Sequence, residues 1–317
     1  MALNIDGYTF SLDSQISRRP VRYRNRYGIE MAADLYMAIS LDRSLRYPGI
    51  VVGPPHSGVK EQGPGVYAQE LAKRGFVTLA FDPSYNGESG GAPRRLTSPE
   101  IFAEDFSAAV DHLGSLPFVD RDRIGSIGLC GSGGFALNAA QVDTRIKAVA
   151  TAAMYDISGV KRDGWKNQGT DEQRRALLKS IAAQRWKDVD EGAPALEPTF
   201  PSEFDIEELD PVTAEFFEYY VTARGRHPRS VGAFTITSEA AHVNFGAVRH
   251  LEDIAPRPIL LITGEHAHSR YFSEDVYSRA PGPKELVVVA GARHIDLYDR
   301  TDMIPFDKLE EFFLAAF

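Results

Sequence analysis

Thirteen residues near the middle of the chain, Arg-Ile-Gly-Ser-Ile-Gly-Leu-Cys-Gly-Ser-Gly-Gly-Phe at 123–135, constrain its fold more than any other stretch. Residues 124–129 are a short apolar run suited to a buried strand, and 135–140 continue as a helix. Between them stands Gly128-Leu129-Cys130-Gly131-Ser132, a nucleophile with a small residue two positions away on either side. A sharp strand-to-helix turn needs that spacing, because strand and helix approach closely across it. Such a turn lifts the sulfur to a helix N-terminus, where the macrodipole favours negative charge and backbone N–H groups can hold an oxyanion. A dinucleotide-binding turn is a poorer fit, since the glycines fall at 125, 128, 131, 133 and 134 and the G-x-G-x-x-G spacing is absent. A turn centred on Ser132, flanked by Cys130 and Gly134, satisfies the same steric rule. It forces the strand through two extra small residues, so Cys130 is preferred.

At 317 residues the chain is long enough for one large α/β domain with an insertion, or for two domains. A net charge of −9 argues against a nucleic-acid or anionic-membrane partner, and the arginines at 18–26 read as a solvated edge strand. Residues 1–15 lack a basic segment followed by an apolar run, and no stretch has the length of a membrane span, so a cytoplasmic protein is expected. The single cysteine rules out an internal disulfide and assigns any thiol chemistry to Cys130. No metal or cofactor is expected. A homodimer is the expectation by base rate alone.

Segments 21–26 and 30–37 read as a hairpin turning at Arg26-Tyr27-Gly28. An apolar strand at 50–52 then runs into Gly53-Pro-Pro-His-Ser-Gly-Val59, a loop placed to supply a second oxyanion donor from the N–H groups of Ser57 and Gly58, with His56 as a substrate contact. A helix is expected over 62–74, a strand over 76–81, and then a polar loop whose Tyr85 and Glu88 could reach a ligand. Thr97-Ser98-Pro99 caps a helix over 100–116, and 145–154 is a further strand ending at Tyr155-Asp156. This alternation implies a mostly parallel central sheet flanked by helices. It breaks off over 157–254, where only helical stretches such as 171–186 and 212–224 appear, too long a segment for a plain connection. The expected organisation is therefore a core of 1–156 and 255–317 with a helical cap or lid at 157–254, its aromatics at 216–220 helping to wall a pocket. Strands at 258–263 and 285–290 and a closing helix at 305–316 complete the core.

His294 follows the last strand and precedes the closing helix, which is where a general base belongs in the chain order nucleophile, acid, histidine of the α/β hydrolases. The acid is less plain. Three residues beyond Gly264 stands Ala267, leaving Glu265 nearby and Asp156 at the end of the preceding strand; Glu265 is preferred as a base-orienting group.

Val59-Lys-Glu-Gln62, Ser84-Tyr-Asn-Gly-Glu-Ser-Gly-Gly91, Gly128-Leu-Cys-Gly-Ser-Gly-Gly134, Gly264-Glu-His-Ala-His-Ser269 and His294-Ile-Asp-Leu-Tyr-Asp299 together resemble the dienelactone-hydrolase-like branch of the α/β-hydrolase superfamily, near a group of bacterial hydrolases and fungal polyketide transferases. The resemblance runs from about residue 21 onward. It implies the α/β-hydrolase fold and ester, thioester or lactone chemistry on a small-molecule acyl substrate through a covalent enzyme. The expected activity is thus that of a carboxylic ester or thioester hydrolase: Cys130 attacks, Gly131 N–H and the Ser57 region hold the oxyanion, and His294 moves protons. An acyltransferase using the same acyl-enzyme, and a catalytically silent ligand-binding relative, are the rival expectations.

Overall fold

The computed structural model describes residues 7–317; residues 1–6, the start of the segment read as free of a leader, lie outside the described residues. Eight strands form one sheet in the order β1-β2-β4-β3-β5-β6-β7-β8. The first hairpin is β1 (Ile16–Arg24) and β2 (Glu30–Ala38), paired antiparallel from Ile16 opposite Ala38 to Arg24 opposite Glu30. β1 begins five residues before the strand expected at 21. Its side chains are mostly polar and partly exposed at the sheet edge, so no apolar run announces it.

Next come β3 (Tyr47–Gly53), α1 (Gly63–Ala72), β4 (Val77–Phe81), α2 (Pro99–Ser115), β5 (Val119–Leu129), α3 (Ser132–Val142) and β6 (Ala148–Ala152). From β4 through β3, β5, β6, β7 (Ile259–Gly264) and β8 (Lys284–Val289), every neighbouring pair is parallel; β2 alone runs against its neighbours. This is the α/β-hydrolase fold. Its strands read as unbroken apolar runs because both faces are covered. On β3, Val51 packs with Phe106, Val110 and Leu113 of α2, while Ile50 and Val52 face Tyr67 and Leu71 of α1. Leu261 of β7 and its neighbours Leu260 and Ile262 divide in the same way, the period of two expected of a strand.

Between β6 and β7 the chain forms α4 (Ile157–Asp163), α5 (Asp171–Glu191), α6 (Pro211–Tyr220) and α7 (Glu239–Val243), with short 3₁₀ turns and a single bridge between Leu196 and Thr235. α5 is long and polar, with only Ile181 buried, and its start is fixed by a reciprocal capping pair of Thr170 and Gln173. α8 (Arg270–Arg279) links β7 to β8; the single turn α9 (Asp296–Asp299) and the closing helix α10 (Phe306–Ala316) follow. Among the described residues no helix is long and apolar enough to cross a membrane.

The connections place the chemistry. The ends of β3, β5, β6 and β7 and the turn after β8 all open at the carboxyl edge of the sheet, which α6 covers with Glu215, Phe216 and Tyr220.

Candidate active site

β5 ends at Leu129 and α3 begins at Ser132, so the chain reverses within two residues. Cys130 takes the left-handed backbone conformation, φ +51°, at the point of the turn. For a residue with a Cβ that conformation costs on the order of 1 kcal/mol or more, and it is held by hydrogen bonds on both sides. The Cys130 N–H donates to Ala152 O at 3.0 Å, and its carbonyl accepts from Tyr155 N–H and Gly133 N–H, each at 2.8 Å. The small-residue rule has a direct steric cause: a Cβ on Gly128 would lie 2.1 Å from the Ser132 carbonyl oxygen. Ser132 itself has no positive φ, and its hydroxyl points toward β3, where a Cβ on Gly53 would meet it at 3.0 Å.

The Cys130 thiol is buried, and burial pushes it up to about 11. Three hydrogen-bonding groups around the sulfur work against that rise: the Tyr298 hydroxyl and the backbone N–H groups of Gly131 and His56. The two N–H groups both approach the sulfur. The N–H from the loop after β3 that reaches the sulfur is that of His56, one residue before Ser57. Gly58 N–H is spent on Pro55 O at 2.7 Å, while the Ser57 carbonyl accepts from the Ser230 hydroxyl. His56 is oriented by its side chain. Its Nε2 lies 2.9 Å from Thr97 Oγ1, which is 2.8 Å from His242 Nε2, and His242 Nδ1 is 3.2 Å from Ser158 Oγ. The His56 ring also stacks on Phe234, at 4.1 Å between centroids. Burial holds His56 and His242 neutral, the latter down to about 3. Tyr85 has left-handed backbone and packs its ring on Gly91, beside a separate cavity rather than the thiol.

His294 is fully buried after β8, and both ring nitrogens meet hydroxyls: Nδ1 lies 2.6 Å from Ser269 Oγ and Nε2 lies 2.9 Å from Tyr298 Oη. Burial, then the neighbouring His268, hold it well below the ordinary histidine range. Neither carboxylate named from the sequence reaches the ring. Glu265 is half exposed and accepts from Gly291 N–H at 2.8 Å; Asp156 accepts from Gly159 N–H at 2.9 Å and caps α4. Asp156 satisfies the backbone of its own turn, and Glu265 that of the turn after β8. The place beside Nδ1 belongs to Ser269, five residues beyond Gly264.

Two further groups come from outside the expected set. Glu215 of α6 is buried, accepts from Ile295 N–H at 2.7 Å and lies 3.3 Å from His268 Nδ1; the His268 ring stands 4.7 Å from His294. Tyr298, on α9, bridges thiol and imidazole. Its place four residues after His294, in the single turn that follows the histidine, is the one sequence signal that could have found it. Ser269 carried no comparable signal, since a serine does not look like a triad acid.

Glu61, Asp82 and Glu88 also converge closely enough for a cation, but the ammonium of Lys60 already sits among them, 2.9 Å from Glu88 and bonded to Glu61.

A model of the dienelactone hydrolase family matches residues 34–163, which include the turn at Cys130. The uncharacterized protein PA2218 of Pseudomonas aeruginosa is 51% identical over 312 residues, 96% of this chain and 82% of the relative. Its crystal structure superposes with a TM-score of 0.95 over all of both chains at 49% identity. The acyltransferase drtE of Aspergillus calidoustus is 25% identical over 294 residues, 90% of each chain, and a thiohydrolase of Eupenicillium brefeldianum is 32% identical over 130 residues, 41% of each.

Proposed function

The chain belongs to the dienelactone-hydrolase-like branch of the α/β hydrolases, enzymes of ester or thioester hydrolysis or acyl transfer, and we propose that it works through an acyl-enzyme on Cys130. One observation carries this reading: a left-handed Cys130 whose sulfur faces the N–H groups of Gly131 and His56. Those donors cost no reorganisation when negative charge develops on a carbonyl oxygen, and removing one such donor typically costs about 10²–10³ in kcat.

The resting thiol and imidazole are both neutral, because burial raises the first and lowers the second. Attack therefore begins with a proton transfer. As sulfur bonds to the acyl carbon, its proton moves to the Tyr298 oxygen and the Tyr298 proton moves to His294 Nε2. With Nε2 accepting, Nδ1–H donates to Ser269 Oγ. Collapse of the tetrahedral adduct expels an alcohol or thiol, protonated from the imidazolium through the same hydroxyl. Water, or an acceptor alcohol or amine, then attacks the thioester while His294 takes its proton; the C–S bond breaks and that proton returns through the Tyr298 hydroxyl to restore the Cys130 thiol. Ser269 orients the ring in place of a carboxylate, so the triad in this reading is Cys130, His294 and Ser269.

Transfer to an acceptor is favoured by the closed surroundings of the thiol, which Tyr155, Tyr220 and Tyr298 bury together. Hydrolysis is the simpler outcome wherever water is admitted.

The test is intact mass and product analysis with activated esters and thioesters, with and without an acceptor alcohol. Wild type should gain one acyl mass on Cys130 and turn it over. Cys130→Ala should gain none, and Tyr298→Phe should acylate at least tenfold more slowly with substrate affinity retained. Full turnover by Cys130→Ala would refute the proposal.

A further inference from the structure

A cavity of about 310 Å³, a size at the lower end for small-molecule sites, is lined by His56 and Ser132 next to the turn but not by Cys130 itself. Phe102, Phe135 and Phe234 give it apolar walls, and Arg94, Arg95 and Arg229 line it as well; its lining contains no Asp or Glu. In a chain of net charge −9 such a concentration of guanidinium is unusual.

The partners of the three arginines sharpen the point. Arg229 pairs with Glu61 and Glu88. Arg94 donates only to carbonyls, those of Ser89 and Gly87, and Arg95 makes no side-chain hydrogen bond or ion pair among the described residues. Two adjacent like charges thus face a partly apolar space with no carboxylate in contact. Arg94 is held below its ordinary range by burial, with Arg95 adding to the effect and Asp82 opposing it. Arg94 is exposed and Arg95 partly buried, so both guanidinium groups keep their charge and are open to an anion entering the cavity.

We propose that this cavity binds an organic anion, its carboxylate or phosphate held by Arg94 and Arg95 and its apolar part lying against Phe102, Phe135 and Phe234. The same chemistry fits two sources: the far end of the acyl substrate, which rests on the acyl-enzyme reading above, or a separate ligand pressing on the oxyanion loop through His56.

Calorimetry with 4-phenylbutyrate and its primary amide tests binding without catalysis. The acid should bind wild type and Cys130→Ala alike, the amide at least tenfold more weakly. Arg94→Gln/Arg95→Gln should lose the acid at least tenfold, and Arg94→Lys/Arg95→Lys should keep most of the binding. Equal binding of acid and amide, or no loss in the Gln pair, overturns the proposal. A second arm separates the sources. If the anion belongs to the substrate, the mono-p-nitrophenyl ester of adipic acid should exceed p-nitrophenyl hexanoate in kcat/KM, and the Gln pair should erase that preference. If it is a separate ligand, 4-phenylbutyrate should alter hexanoate turnover without competing. Should no ester turn over at all, the acyl-enzyme reading fails while the calorimetry still decides the cavity.

Discussion

At His294 both ring nitrogens are engaged by hydroxyls, and no carboxylate stands ready to balance an imidazolium. That single substitution of chemistry, Ser269 where an acid is usual, accounts for the character of the site. The base stays neutral to well below pH 6.5, so the acidic limb of kcat/KM should lie below that value. Ser269→Asp would place a negative charge on Nδ1 and raise the imidazole by about one to three pH units, moving the limb upward by that amount. A pH-rate profile checks it, and an unmoved limb would show that Nδ1 does not report to the chemistry. The thiol is set in the opposite direction. Alkylation of Cys130 by iodoacetamide should keep accelerating with pH toward 11, whereas an unperturbed thiol levels off near 8.5. The sequence singled out Cys130 and His294 because each sits at a boundary that spacing reveals, and the structure brings both against Tyr298. It did not reveal what orients them, because that depends on which hydroxyls fold back onto one ring.

On the scale of elements, the strands and helices of the core were legible because every buried strand is an apolar run closed by glycine, proline or a polar turn. The starts of β1 and β5 were missed where polar edge residues extend the pairing without an apolar signal. The loop after β3 was legible as a loop but not as a conformation. Its donor residue is chosen by a turn in which Gly58 N–H closes on Pro55, and by a buried chain from His56 through Thr97 and His242 to Ser158 of α4. Thr97 is the central link. Thr97→Val keeps the shape and strands two buried imidazoles, costing about 1–3 kcal/mol of stability. The loop donor then loses its anchor, so kcat should fall about tenfold or more with little change in KM, and Thr97→Ser should restore it. A purely structural role would show as a lower denaturation midpoint at unchanged kcat.

Across the whole molecule, Lys60 is the tie between the early sheet and the chain inserted after β6. Its ammonium, 3% exposed, lies within reach of Asp34 on β2, Asp82 after β4, Glu61 and Glu88, and Glu61 pairs onward with Arg229. These carboxylates hold Lys60 above its ordinary range, and Asp82 is pushed up to about 7 by burial and by Glu61. Lys60→Met removes the central cation from four acidic groups. About 3–5 kcal/mol of stability should go with it, read as a fall in the urea midpoint at pH 8. The same mutual dependence has a consequence at α6. Glu215 holds the peptide N–H of Ile295, directly after the base, and sits against His268 beside it. Exchanging α6 as a specificity module would therefore also disturb the backbone beside His294. A chimera that swaps the segment between β6 and β7 should therefore keep its stability only if it carries Glu215 and His268 together, whereas changes on the polar, outward α5 should be tolerated.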